Sequence, residues 1–248
     1  MPRSLFILVV LFILPLFSAC SLLTPLSRFE PDGAEEALDH LSRLNEVVTT
    51  FKGTGSVVIT EKGQTQRFRI AWAGAPPNLL RMEILASATP IESLAYNGTH
   101  LQLRSHVGSH TPYSKKVKNP SLKSATGIPL TLSEIHALLS GKIDVGTFQS
   151  ARLLTASDLG TETLILHPDR SHKKAITLNE NRLPTRATLS TAHGEVYEMR
   201  LIPKTDPEGI HHFKRIILTS GKGVKTTIRI DRMIINPPVD ETIFTLEP

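Results

Sequence analysis

Gln66-Arg67-Phe68-Arg69-Ile70-Ala71-Trp72 is the stretch that decides the fold of this chain. Phe68, Ile70 and Trp72 take alternate positions, and Arg67 and Arg69 fall between them. A period of two sets the apolar side chains on one face of a strand and the guanidinium groups on the other. Such a strand buries one face and wets the other, as antiparallel sheets do. The texture extends both ways. Upstream, residues 54–60 are rich in β-branched side chains and end at a Lys62-Gly63 turn. Downstream, Gly74-Ala75-Pro76-Pro77 reads as a loop, after which Leu80, Met82 and Ile84 alternate with Arg81 and Glu83. Residues 91–96 lead to Asn97-Gly98, a strong hairpin signal, and the chain returns through Leu101 and Leu103.

An amphipathic helix precedes this meander. Asp32 is placed to cap it with Glu35 three residues on, and Ala34, Ala37, Leu38, Leu41, Leu44, Val47 and Val48 follow at helical spacing. Residues 105–124 are polar and irregular. A second helix follows: Thr131 and Glu134 form a capping-box pair, Leu132, Ile135, Leu138 and Leu139 make the apolar stripe, and Gly141 suits the end. Beyond it, strands are expected over 148–155, 161–167, 175–178, 184–191, 196–203, 213–219, 224–233 and 243–246. The total is about twelve strands with two or three helices. The expected fold is mainly β with helices (α+β): one large, strongly curled antiparallel sheet with helices against its concave side.

Residues 1–19 read as a signal peptide: Arg3 makes a charged start, residues 5–17 are almost wholly apolar, and Ser18-Ala19 are small. The apolar run, broken by Pro15, is shorter than the roughly 20 residues of a membrane span. Leu16-Phe17-Ser18-Ala19-Cys20 resembles the lipobox of bacterial lipoproteins, with Phe17 where leucine is usual. The resemblance implies that Cys20, the only cysteine, carries a diacylglycerol and an acylated amino terminus, palmitate being the expected acyl group. An ordinary signal peptide and an uncleaved anchor are the alternatives. Residues 20–31 would then be a lipidated tether and 32–248 the folded domain, without a disulfide. Ser21 after the cysteine leans toward the outer membrane.

The formal net charge of +5 allows attraction to anionic head groups and requires no nucleic acid. The clusters Lys115, Lys116, Lys118 and Lys222, Lys225 have only Tyr113 as an aromatic neighbour, so they read as solvated loops. Ten histidines are present, but His100, His106, His110 and the adjacent His211-His212 lack zinc-site spacing, so no metal or cofactor is expected. No Gly-x-Ser-x-Gly elbow occurs. Asp231 and Glu195 do not by spacing define a carboxylate pair, and Gly221-Lys222-Gly223 reads as a hairpin turn. The chain is read as a non-enzyme.

Three passages together resemble the LolA/LolB lipoprotein-localisation family, with LolB the nearer since it is itself a lipoprotein. They are Phe51-Lys52-Gly53-Thr54-Gly55-Ser56-Val57-Val58 with the strand ending at Trp72, Thr126-Gly127-Ile128-Pro129-Leu130 with its helix to Gly141, and the close Pro238-Val239-Asp240-Glu241-Thr242-Ile243-Phe244-Thr245-Leu246. The resemblance implies an eleven-stranded half-open barrel with a helical lid. Its apolar cavity takes acyl chains of lipoproteins or lipids from a periplasmic LolA-like carrier, at the outer membrane and facing the periplasm. Cavity candidates are Phe68, Ile70, Trp72, Leu80, Met82, Ile84, Leu101, Leu103, Leu138, Met199 and Leu201. LolB uses an exposed leucine on a loop between early strands. The corresponding Ala86-Ser87-Ala88-Thr89-Pro90-Ile91 lacks the asparagine–proline–leucine–glycine form and leaves Leu85 and Ile91 as insertion-loop candidates. Alternation alone fits a dry core as well as a cavity. A scaffold lipoprotein binding protein partners is the alternative function, and the protein is expected to be a monomer.

Overall fold

In the computed structural model, residues 28–29, 33–108, 111–123, 129–156 and 160–246 are described. Cys20, the signal, the Asp32 cap, Thr126-Gly127-Ile128 and the expected tether apart from Arg28-Phe29, which form a strand, lie outside them. The two-residue strand β1 (Arg28–Phe29) precedes helix α1 (Ala34–Arg43). Six strands follow as a meander: β2 (Phe51–Glu61), β3 (Gln64–Ala75), β4 (Leu79–Ala86), β5 (Thr89–Tyr96), β6 (His100–Ser105) and β7 (Tyr113–Lys116). Helix α2 (Leu132–Leu139) leads to a second meander: β8 (Ser150–Ala156), β9 (Thr161–His167), β10 (His172–Leu178), β11 (Pro184–Thr191), β12 (Gly194–Thr205), β13 (His211–Ser220) and β14 (Lys225–Ile235).

The last strand joins the two meanders. β14 pairs antiparallel with β2 from Lys225 opposite Thr60 to Ile235 opposite Phe51. The ladder therefore runs β1-β8-β9-β10-β11-β12-β13-β14-β2-β3-β4-β5-β6-β7. Every neighbouring pair is antiparallel except β1 on β8. β1 and β7 stand at opposite ends without pairing, so the sheet is open rather than closed into a barrel.

Two glycines of the β2–β3 pair explain the aromatic residues facing them. Gly53 pairs with Trp72, and Gly74 pairs with Phe51. The indole lies over Gly53 and the phenyl ring over Gly74, so a Cβ at either glycine would overlap the ring. Each ring covers the gap left by the missing side chain, a device that fixes strand register.

The face bearing the helices, here the inner face, carries one continuous core. Leu94 and Leu101 of the first meander, Leu164 and Met199 of the second, and the stripes of both helices all belong to it. A second, small core forms on the opposite face, where Phe244 packs with Ala73, Ala75 and Leu79.

Several local expectations change. Residues 243–246 were expected as a strand, but Glu241–Phe244 form a 3-10 turn because the Asp240 side chain accepts from Thr242 N–H at 2.9 Å. Helix α1 starts on Gly33 with no side-chain cap and stops at Arg43, leaving Leu44 and Val48 buried in the following turn and Val47 65% exposed. The irregular 105–124 segment contains strand β7.

Candidate functional site

Helix α2 is the element around which the inner face is organised. Thr131 caps it: its hydroxyl accepts from Glu134 N–H, and Glu134 Oε2 accepts in return from Thr131 N–H at 3.0 Å. The other oxygen of the same carboxylate reaches the sheet. Glu134 Oε1 accepts from Tyr197 Oη at 2.7 Å and from Lys174 Nζ at 3.2 Å. Lys174 also donates to the Asp144 carbonyl, and Ser133 Oγ donates to Asp144 Oδ2 at 2.6 Å.

Lys174 on β10 and Tyr197 on β12 both pair with Leu189 of β11, one from each side. Both are buried on the inner face, Tyr197 completely. Burial first, then the Glu134 charge, pushes the Tyr197 phenol well above its ordinary value, so it remains a neutral donor. A lone buried lysine would be costly to hold charged. Here the carboxylate, the phenol and a carbonyl gather around it, so the cluster is satisfied only as a set.

The apolar stripe of α2 completes the attachment. Between Ile135, Leu138 and Leu139 on the helix and Ile216, Leu218 and Ile228 on the sheet the gap is about 10 Å³. That is at or below the room one water needs. The helix thus fills the face it covers.

A larger space opens at the end of α2. It is a half-open pocket of about 400 Å³ walled by Val48, Phe51, Pro77, His136, Lys142 and Val145. This falls within the usual range for small-molecule sites. His136 Nε2 donates to the Ala75 carbonyl at 3.1 Å, and its ring stands edge-on to Phe51 with centroids 5.0 Å apart. Burial, reinforced by the nearby Lys142 charge and opposed by the Ala75 bond, lowers the His136 pKa to about 4. Burial also lowers Lys142. The pocket therefore joins a neutral imidazole and an aromatic ring to the half-buried Lys142 and Asp144 side chains.

Of the cavity candidates, Ile70, Trp72, Leu80, Leu101, Leu138, Met199 and Leu201 are buried in the inner core. Met82, Ile84 and Leu103 pack half-buried against it, and Phe68 is half-buried beside Val57. Leu138 borders the narrow gap under α2, and none of the eleven walls the 400 Å³ pocket. Leu85 and Ile91 are half-buried at the base of the β4–β5 hairpin, whose exposed tip is Ala86-Ser87-Ala88-Thr89. Trp72 Nε1 is buried without a hydrogen-bond partner among the described residues.

Lys174, the outward reach of Glu134, and His136 were not anticipated. One signal was readable: alternation back from Leu178 through Ile176 sets Lys174 on the buried face. Its partners were not readable, because Glu134 lies 40 residues away in sequence.

No family model and no curated protein matches the chain. Solved structures do. A LolA superfamily protein from Nitrosomonas europaea superposes with a TM-score of 0.61 at 16% identity, over 86% of this chain and 97% of that one. The fold is LolA-like. A putative outer membrane lipoprotein-sorting protein domain from Vibrio parahaemolyticus gives a TM-score of 0.58 at 10% identity, over 85% and 97%. A DUF1329 family protein from Desulfovibrio piger gives 0.57 at 10%, over 86% and 98%.

Proposed function

We propose that this protein is a lipid-anchored envelope protein, on the periplasmic side of the outer membrane. It takes acyl chains of lipoproteins or lipids onto the inner face of its sheet and passes them on without catalysis. The observation that carries this reading is that an apolar face built from both meanders is covered at its centre by the eight-residue helix α2. In this proposal the helix leaves as a unit: it is separate from the ladder, and its apolar stripe, the charged cluster, the His136 bond to the Ala75 carbonyl and the Asn45 bonds at its end are released together. An acyl chain replacing Leu132, Ile135, Leu138 and Leu139 would recover the same burial, at about 0.8 kcal/mol per methylene.

Other features support the reading. The pocket of about 400 Å³ beside α2 gives the chain a place to enter. Trp72 Nε1, buried and unpartnered, is a donor that a carbonyl of the guest would satisfy. The curl of a half-open barrel belongs to this proposal, supported by one core that joins Leu101 of β6 to Leu153 of β8 through the helices. The lipoprotein-sorting description of the Vibrio domain and the LolA-like fold point the same way.

Trp72 is the only tryptophan, which makes the test direct. Acyl chains carrying bromine should quench its fluorescence on binding, and unbrominated chains should compete the quenching away. Folded protein whose emission is unchanged by brominated chains, and which retains no acyl chain by mass spectrometry, would remove the reading.

A further inference from the structure

The face opposite the helices carries a band of arginines in register. Along one row, Arg69 of β3 pairs with Ser56, Ser56 with Arg229, Arg229 with Arg215, and Arg215 with Ile202. The adjacent row runs Arg67, Val58, Thr227, Ile217, Arg200 and Arg186. Arg232 pairs with Thr54 beside them. All these arginines are exposed, and Ile202 between them is 40% exposed.

Two pairs of like charges stand directly opposite one another: Arg215 with Arg229, and Arg186 with Arg200. Such pairs destabilise a sheet. Local carboxylates answer only part of the charge. Glu198 holds both Arg186 and Arg200, at 3.0 and 3.1 Å, and Asp231 holds Arg229 at 2.9 Å. Arg67, Arg69, Arg215 and Arg232 have no ion pair among the described residues. Neighbouring strands lie about 4.8 Å apart, so an array over β3, β2, β14, β13, β12 and β11 spans roughly 24 Å. It contains no aromatic platform on which bases would stack.

We propose that this face docks on a membrane surface bearing anionic phospholipids. Guanidinium forks match phosphate oxygens in pairs, which lysine cannot do. A broad array with an aliphatic side chain among the cations suits a plane of head groups better than a narrow groove. The inner face and the pocket beside α2 then look away from that membrane, toward the aqueous compartment.

The test uses the chain from Ser21 onward, which contains every described strand and helix in one sheet with a shared core. It is titrated with phosphatidylcholine vesicles with and without phosphatidylglycerol, and circular dichroism checks the fold of each variant. Binding should require phosphatidylglycerol. Arg69→Gln with Arg215→Gln should weaken it about 25-fold, from about fivefold per arginine. The control, Lys115→Gln with Lys116→Gln, removes equal charge from edge strand β7 and should leave affinity unchanged. Equal losses in the two doubles would reduce the effect to net charge and overturn the proposal. So would equal binding to both vesicles or no binding to either. Polyglutamate binding through the same arginines, without vesicle binding, would overturn it in favour of an acidic protein partner.

Discussion

The two helices lie on the same sheet and are attached in different ways. Helix α1 lies at the β8 edge on Ala34, Ala37 and Leu41, with the two alanines fully buried. Its end is fixed by Asn45, which bonds only to backbone. Helix α2 lies over the centre on leucines and isoleucine, and a charged cluster buried beneath it ties it to β10 and β12. Backbone bonds from one amide fail one at a time. A buried ionic set fails together, because losing one member strands the others. Asn45 also reaches the end of α2, but only α2 adds a buried ionic set, and the proposed function makes α2 the part that leaves the sheet.

The largest effect expected from breaking this contrast is at Lys174. Lys174→Met leaves the Glu134 carboxylate buried opposite an apolar side chain and should lower stability by about 3–5 kcal/mol. Adding Glu134→Gln should restore much of it, since the stranded charge is gone. Urea unfolding of both singles and the double closes the cycle, and strictly additive losses would show that the two side chains do not act as a set.

His136 supplies the next effect and acts on α2 through acid. Its folded pKa of about 4 lies below the ordinary 6.5. Between these values the unfolded chain binds the proton and the folded chain does not. Stability from this group is therefore complete above pH 6.5 and falls as pH drops toward 4. At 1.36 kcal/mol per pH unit the loss approaches about 3 kcal/mol. The slope of unfolding free energy between pH 6.5 and 4 should flatten in His136→Gln, and an unchanged slope would place the acid sensitivity elsewhere.

Legibility in the sequence followed the range of the forces. Alternation in Phe68, Ile70 and Trp72 and the hairpin at Asn97-Gly98 gave the meander, because strand facing is a local property of the chain. The start of α2 at Thr131 and its stop at Gly141 were legible for the same reason: a capping box and a left-handed glycine (φ 79°) act within one turn. The end of α1 was not. Leu44, Val47 and Val48 continue the helical spacing, yet the chain leaves the helix at Leu44. The site divided in the same way. Apolar candidates such as Trp72 and Met199 could be assigned to the inner face. That α2 fills this face, and that the open space lies beside it at Phe51 and His136, depends on how distant elements meet.

Asn45 gives the reason for the early end of α1 and the smallest of these effects. Its backbone takes the left-handed conformation, φ 56°, which ends a helix and which asparagine tolerates. Its Nδ2 donates to the carbonyls of Ser140 at 3.2 Å and Gly141 at 3.3 Å and to that of His211, while its Oδ1 accepts from His211 N–H at 3.0 Å. One amide thus joins the end of α1 to the end of α2 and the start of β13. Asn45→Ala removes these bonds and adds left-handed strain, for a loss of about 2–3 kcal/mol. Asn45→Gly removes the same bonds without the strain and should be about 1 kcal/mol more stable than the alanine variant. Thermal unfolding of the pair separates the two contributions. If glycine and alanine cost the same, the backbone has moved out of the left-handed region, and the stop of α1 is set by the lost bonds rather than by the conformation of residue 45.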